Sequence, residues 1–332
     1  MKKNYIISSL KLYSGKNISD IASEIHKKAI ECGYDNCGII SLDELDDYKV
    51  YLDERISKIP ESRFVYGFYD NFTNLKERFP WAESVIICTI WFGKYKYPKY
   101  LRQKYAKSFF LSINTVPDSQ EYKKKKSFET FLAENDIQFA GGDDNAPGSI
   151  LPLRHAAVKA GLGIFRKNNF FYSEKGSYYA LEAFVIDKKL ELKHDLKIKP
   201  CSDKCTVCRK TCRTHALCDA YTMNPTRCIS LLTTFAGGNL PADIYDETIG
   251  TWVCGCDDCQ DMCPHNKKHN WDEGEDFPGL NDILELLKLE NLIEASDEEL
   301  CEKIIPKTEF HLGCWNVEVL RVCARRALNN CD

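Results

Sequence analysis

Ten of the chain's seventeen cysteines fall between Cys201 and Pro264, and their spacing limits the possible folds more than any other stretch. A first run, CSDKCTVCRKTC, sets Cys201, Cys205, Cys208 and Cys212 apart by three, two and three residues. Cys228 follows alone in RCISLL, and CDDCQDMCP then supplies Cys256, Cys259 and Cys263 before Pro264. Cys218 and Cys254 stand outside the pattern. An iron–sulfur cubane needs four thiolates converging on one point. A C-x2-C loop turns successive sulfurs inward, so one run supplies three, and in two-cluster arrangements the last cysteine of each run ligates the other cluster. That rule predicts one [4Fe–4S] cluster on Cys201, Cys205, Cys208 and Cys263, and a second on Cys256, Cys259, Cys228 and Cys212. Two features depart from the pattern. The first run opens with three intervening residues, and Arg213 follows Cys212 where proline is usual. A zinc site and a disulfide framework stay open as readings, although structural zinc sites more often read as two separated C-x2-C pairs.

With 332 residues, the chain is long enough for two domains, or for one large domain with an insertion. Its 44% hydrophobic and 12% aromatic content is that of a folded globular protein. The N-terminal apolar run is too short for a signal peptide, and no stretch approaches the roughly 20 apolar residues of a membrane span. The expectation is a soluble cytoplasmic protein, in a reducing compartment where cysteines hold metal more often than disulfides. The net charge of −4 argues against a strongly basic nucleic-acid binder. The charge is uneven, however. KYKYPKYLRQKYAK, residues 94–107, carries six basic residues, four tyrosines and no acid, and Lys123 to Lys126 form a second basic run. Both read either as solvated surface or as contacts for phosphates or an anionic ligand tail.

In chain order, residues 19–33 predict a helix capped by Ser19 and ended by Gly33. NCGIISL at 36–42 follows as a strand. WAESVIICTIWF at 81–92 is the best candidate for a central buried strand. Helical character returns from about Asp118 to Asn135, IQFAGG reads as strand, GGDDNAPG at 141–148 as loop, 151–163 as helix and 177–187 as strand. This alternation predicts an α/β (α+β) domain with a mixed or parallel sheet over residues 1–190. A bacterial ferredoxin-like double-cluster domain would span 191–270, and a C-terminal helical segment 271–332. Residues 187–215 carry nine basic and four acidic residues, a positive setting that favours reduced clusters. Ser296 with Glu299 reads as a capping box. Cys301, Cys314, Cys323 and Cys331 lack cluster spacing, and most of them read as buried small side chains.

Taken together, these segments resemble the epoxyqueuosine reductase family and, more distantly, the reductive dehalogenases, along nearly the whole chain. KERFPWAESVIICTIWF is similar to the family's N-terminal strand, AGLGIFRKN to its AGLGxxGKN loop, and EKGSYYALEAFVID to the strand that follows. RCISLLTT and GCDDCQDMCPHN are the most specific matches, and NVEVLRVCARRALNN is similar to the last helix. The resemblance implies base-off cobalamin beside the two clusters, in a cleft between the α/β domain and the cluster domain. Its contacts would include Arg154, Gly161, Leu162, Gly163, Lys167, Asn168 and Ser177, the glycines allowing close backbone approach. It also implies a proton-donating aspartate. DNAP, Asp144 to Pro147, stands where the family has DSAP, and neighbouring Asp143 is the alternative donor. An aspartate donates only if its pKa is raised, by burial or by the substrate complex. Three departures stand out. Arg166 replaces a loop glycine, an RDYHKVL-like segment is not recognisable near 94–107, and extra residues separate DNAP from Arg154.

Three functions follow. One is reductive deoxygenation of epoxyqueuosine to queuosine in tRNA. Another is a related cobalamin and iron–sulfur reductase for a small molecule, for example a dehalogenase. The third is a cobalamin-free two-cluster electron-transfer protein. A low-potential donor such as ferredoxin or flavodoxin would supply the electrons.

Overall fold

The structure is a computed structural model, and it describes residues 18–111, 120–141, 150–267 and 269–331. Helix α1, Ile18–Cys32, buries Ala22, Ile25, Ala29 and Cys32 on one face, at the spacing of three to four residues that a 3.6-residue period requires. Ser19 therefore lies within the helix and does not precede it as a cap. Gly33 ends it at φ 95°, with the Gly33 amide donating to the Ile30 carbonyl and the Tyr34 amide to the Ala29 carbonyl. This paired closure needs a left-handed residue, which glycine adopts without strain.

Four strands make the main sheet: β1, Asn36–Ser41, β2, Ser84–Trp91, β3, Phe139–Gly141, and β4, Tyr179–Ile186. Their order is β1–β2–β4–β3. Every pairing is antiparallel, with Cys88 opposite Cys37 on one side and Glu182 on the other. The mixed or parallel sheet expected from the alternation of helices and strands is thus corrected. The cause is plain in β2. Its unbroken apolar run reports that both faces are covered, which says nothing of strand direction. Ile86, Cys88 and Ile90 face α1 and α3, Gln120–Glu134, whose Phe128 and Leu132 are fully buried. Val85 and Ile87 face the opposite way with Ala183 and Val185, onto Ala156 and Ala157 of α4, Leu153–Lys159. The outcome is a sheet between helical layers. Helix α2, Tyr48–Lys58, starts a separate aromatic group in which Tyr48 and Leu52 meet Tyr66 and Phe72.

The basic, tyrosine-rich stretch 94–107 is partly solvated surface, as at Lys96 and Lys99, and partly core. Tyr95, Tyr97 and Tyr105 are core residues. Tyr95–Lys96 pairs in parallel with Glu275–Asp276 of the acidic segment, Lys96 meets Asp276 at 3.0 Å, and Arg102 meets Asp272 at 2.6 Å. Lys107 is 2% exposed, between Asp257 at 3.1 Å and Asp261 at 2.8 Å. Lys125 of the second basic run is also buried, 3.6 Å from Glu182. These cations are largely engaged within the fold.

The C-terminal helices α5, Leu289–Glu294, and α6, Glu318–Asn329, share one buried cluster with β2, Tyr105 and Cys254. Helix α6 contributes Leu320, Cys323, Ala324 and Ala327. The Ser296 hydroxyl caps the Glu299 amide, but the Glu299 carboxylate accepts from Lys303, so only one arm of the expected box forms. Of the four C-terminal cysteines, Cys323 is buried and Cys331 exposed. Cys301 and Cys314 form a disulfide, with Cα atoms 5.2 Å apart, in place of separate buried side chains. Among the described residues no helix is long and apolar enough to cross a membrane.

Candidate metal centres and the adjoining cleft

The eight cysteines of the sequence pattern gather in two groups. Cys208 sits on a helical turn, Val207–Thr211, and its electrostatic neighbours are Cys201, Cys205 and Cys263. Cys259, on the turn Asp258–Asp261, has Cys228 and Cys212 as its first neighbours, and Cys256 has Asp258, then Cys259 and Cys228. Burial, above all, pushes the thiols of Cys256 and Cys259 well above the ordinary range and raises those of Cys208 and Cys228. Desolvation disfavours a thiolate unless positive charge is supplied, and a bound metal centre supplies it. Among the described residues no three His, Cys, Asp or Glu side chains are placed to hold a single metal ion. The all-cysteine donor set, two groups of four, fits the soft ligation of iron–sulfur clusters.

Residues just beyond the AGLG loop tie the α/β layer to these groups. Lys167 donates to three carbonyls, Ser202 at 2.8 Å, Asp203 at 2.8 Å and Cys205 at 3.2 Å. The Asn168 amide donates to the Tyr172 hydroxyl at 3.0 Å and the Cys259 carbonyl at 3.2 Å. Arg166, 3% exposed, places Nη1 3.8 Å from Cys201 Sγ. The Tyr172 hydroxyl is held well above the usual phenol range, by burial first and then by its hydrogen bond with the Cys263 thiol.

Beside this junction lies a cleft of about 460 Å³, walled by α2, α4, the hairpin Ile164–Phe165 and Phe171–Tyr172, and β4. Gln260, next to Cys259, closes one side. Arg55 reaches across it, donating to the hydroxyls of Tyr51 at 2.6 Å and Tyr66 at 2.8 Å and to Asn169 Oδ1 at 3.2 Å. Burial acts against this cation, yet Tyr66 and Tyr51 hold its pKa above the ordinary value. Arg154 donates to the Asn169 carbonyl at 2.7 Å. Asn169 itself has φ 64° and leaves a buried Nδ2 without a partner. Burial pushes Tyr48 and Tyr179 up to about 12, so both stay neutral donors at ordinary pH. Aromatic walls, two guanidiniums and an unsatisfied amide suit a large flat group edged with amides and a phosphate.

Of the residues expected to touch a cofactor, Arg154 and Ser177 line the cleft. Ser177, however, already donates to Gln260 Oε1 and accepts from Asn266 Nδ2, both at 2.8 Å. Gly161, Leu162, Gly163, Lys167 and Asn168 are placed elsewhere. A Cβ on Gly161, at φ 73°, would come within 1.8 Å of the His194 carbonyl oxygen, and one on Gly163 within 2.3 Å of the Tyr172 carbonyl. These glycines serve close packing of backbone on backbone, and Leu162 is core. Asp143 and Asp144 lie outside the described residues. Sequence reading passed over Arg55, Tyr51, Tyr66, Asn169 and Gln260. The Tyr51–Arg55 spacing of four and the Asn168–Asn169 pair were visible signals, but neither is specific.

Residues 201–266 match the family of 4Fe-4S double cluster binding domains. The chain is 28% identical over 258 residues to an epoxyqueuosine reductase of Leadbetterella byssophila, covering 74% of this chain and 80% of that protein. It is 26% identical over 298 residues to that of Cellulophaga algicola, covering 86% and 91%. Among solved structures, an epoxyqueuosine reductase in complex with an epoxyqueuosine-modified tyrosine tRNA stem loop superposes with a TM-score of 0.74, at 23% identity, over 95% of this chain and 82% of that one. Cysteine groups and family match together define a double-cluster iron–sulfur protein. Over most of its length the chain is similar to epoxyqueuosine reductases.

Proposed function

We propose that this protein is a cobalamin-dependent iron–sulfur reductase that converts epoxyqueuosine to queuosine in tRNA. The observation that carries the reading is the placement of an aromatic, guanidinium-lined cleft against Gln260, one residue from Cys259, in a chain similar to epoxyqueuosine reductases over most of its length. The net reaction removes the epoxide oxygen as water, consumes two electrons and two protons, and leaves a carbon–carbon double bond. When bound, the two clusters supply single electrons and cobalamin supplies a strongly reducing cobalt centre.

In this reading Cys201, Cys205, Cys208 and Cys263 hold one cluster, and Cys212, Cys228, Cys256 and Cys259 the other. Arg55, Arg154 and the Asn169 amide orient the cofactor's polar edge, and the tyrosine walls keep water from its face. Asp144, seven residues before the cleft-lining Leu151 in sequence, delivers a proton to the departing oxygen, with Asp143 as the alternative. A ferredoxin- or flavodoxin-class protein supplies the electrons in the cytoplasm.

One observation favours a second reading, reduction of a small molecule. The basic stretch 94–107 is spent on Asp257, Asp261, Asp272 and Asp276, so the phosphate contacts expected there are largely removed. The test is anaerobic titration of the reconstituted protein with cobalamin, followed by incubation with epoxyqueuosine-bearing tRNA. An altered corrin spectrum and queuosine formation support the proposal. An altered spectrum without conversion favours the small-molecule reductase, and an unchanged spectrum an electron-transfer protein.

A further inference from the structure

Arg166 is the residue that least fits a purely structural role. The residue is only 3% exposed. Among the described residues no carboxylate pairs with it, and its Nε is buried without a partner. A buried cation without a counter-ion is costly. What the guanidinium does approach is Cys201, at 3.8 Å from Nη1 to Sγ, while its plane lies over the Tyr172 ring at 5.0 Å. The Tyr172 hydroxyl, which accepts from Asn168 Nδ2 at 3.0 Å, has Cys263 of the same cysteine group as an electrostatic neighbour. Both contacts come from the hairpin 164–172, and both reach the group of Cys201, Cys205, Cys208 and Cys263. Among the described residues, the other group receives from this hairpin region the Asn168 contact with the Cys259 carbonyl.

We propose that Arg166, assisted by Tyr172, selectively raises the reduction potential of the cluster on Cys201, Cys205, Cys208 and Cys263. The inference rests on the two-cluster reading above. Reduction adds one electron from a low-potential donor to that cluster, with no bond or proton exchanged, and increases its negative charge. A cation and a hydrogen-bond donor at its ligating sulfurs stabilise the more negative state, and such contacts set cluster potentials. The anionic cluster in turn offsets the desolvation of Arg166.

The test is a redox titration followed by electron paramagnetic resonance on the reconstituted full-length protein, with dithionite as reductant. Arg166→Gly should lower one of the two couples so that its reduced-to-oxidised ratio at fixed potential falls at least tenfold, about 59 mV for one electron. Tyr172→Phe should move the same couple in the same direction by less, and Arg166→Lys should leave it near the wild-type position. The second couple should not move. With eight irons retained, unmoved couples, or both moving equally, overturn the proposal. If Arg166→Gly loses its iron, Tyr172→Phe decides in the same way. Fewer than eight irons in the wild type defeats the two-cluster reading itself, a result distinct from full iron with unmoved potentials.

Discussion

Lys167 spends its three donors on three carbonyls of the 202–205 loop. Lys167→Ala should therefore leave the α/β layer folded and lower iron retention after gel filtration by several-fold, and unchanged iron would show that the loop holds itself. A second residue sets a pH dependence. Burial raises the Glu309 carboxyl to about 7, partly countered by Lys125. A folded-state pKa above that of the unfolded chain means the native state binds the extra proton. Stability should thus fall as pH rises between about 4.5 and 7 and level off above, a loss of up to about 3 kcal/mol. Glu309→Gln should flatten that slope and stabilise the protein at pH 7.5, as read from urea midpoints at pH 5 and 7.5 with equal iron content. A variant with the wild-type slope would place the titration elsewhere.

Stretch 94–107 ends on the buried Lys107, which bridges to Asp257 and Asp261 on the turn bearing Cys259. Lys107→Met would strand two carboxylates, one of them fully buried, and should cost about 3–5 kcal/mol in urea unfolding. A loss below 1 kcal/mol would mean that water enters the site. By contrast, Lys96, Lys99 and Arg102 pair near the surface with Asp272 and Asp276. Neutralising all three should leave the salt dependence of tRNA binding little changed, because a cation already paired within the fold releases few counterions from RNA. A markedly flatter dependence would restore them as phosphate contacts. The acids that neutralise this stretch lie about 150 to 180 residues further along the chain, so no local reading of 94–107 could have found them. Strand β2 shows the complementary limit. Its apolar run revealed burial on both faces, whereas its antiparallel partners are set by how the intervening helices return the chain. Ser177 and the glycines of 161–163 were legible as special positions, but not as positions spent on the protein's own packing.

Across the whole molecule, cysteine spacing was the most informative signal, because ligand geometry is written in short local intervals. The cleft was the least, because its walls come from α2, the hairpin, α4 and β4, which only the fold brings together. The crossed assignment of cysteines has its own check. Cys256→Ser should remove about four of eight irons and leave the cluster of Cys201, Cys205, Cys208 and Cys263 in place; loss of all eight, or none, would break that assignment. The most direct measurement of the central claim is nucleoside mass spectrometry of epoxyqueuosine-bearing tRNA after incubation with the reconstituted, reduced protein, with and without cobalamin. Queuosine should appear only when cobalamin is present. Protein that holds eight irons and binds cobalamin, yet leaves epoxyqueuosine intact, would contradict it.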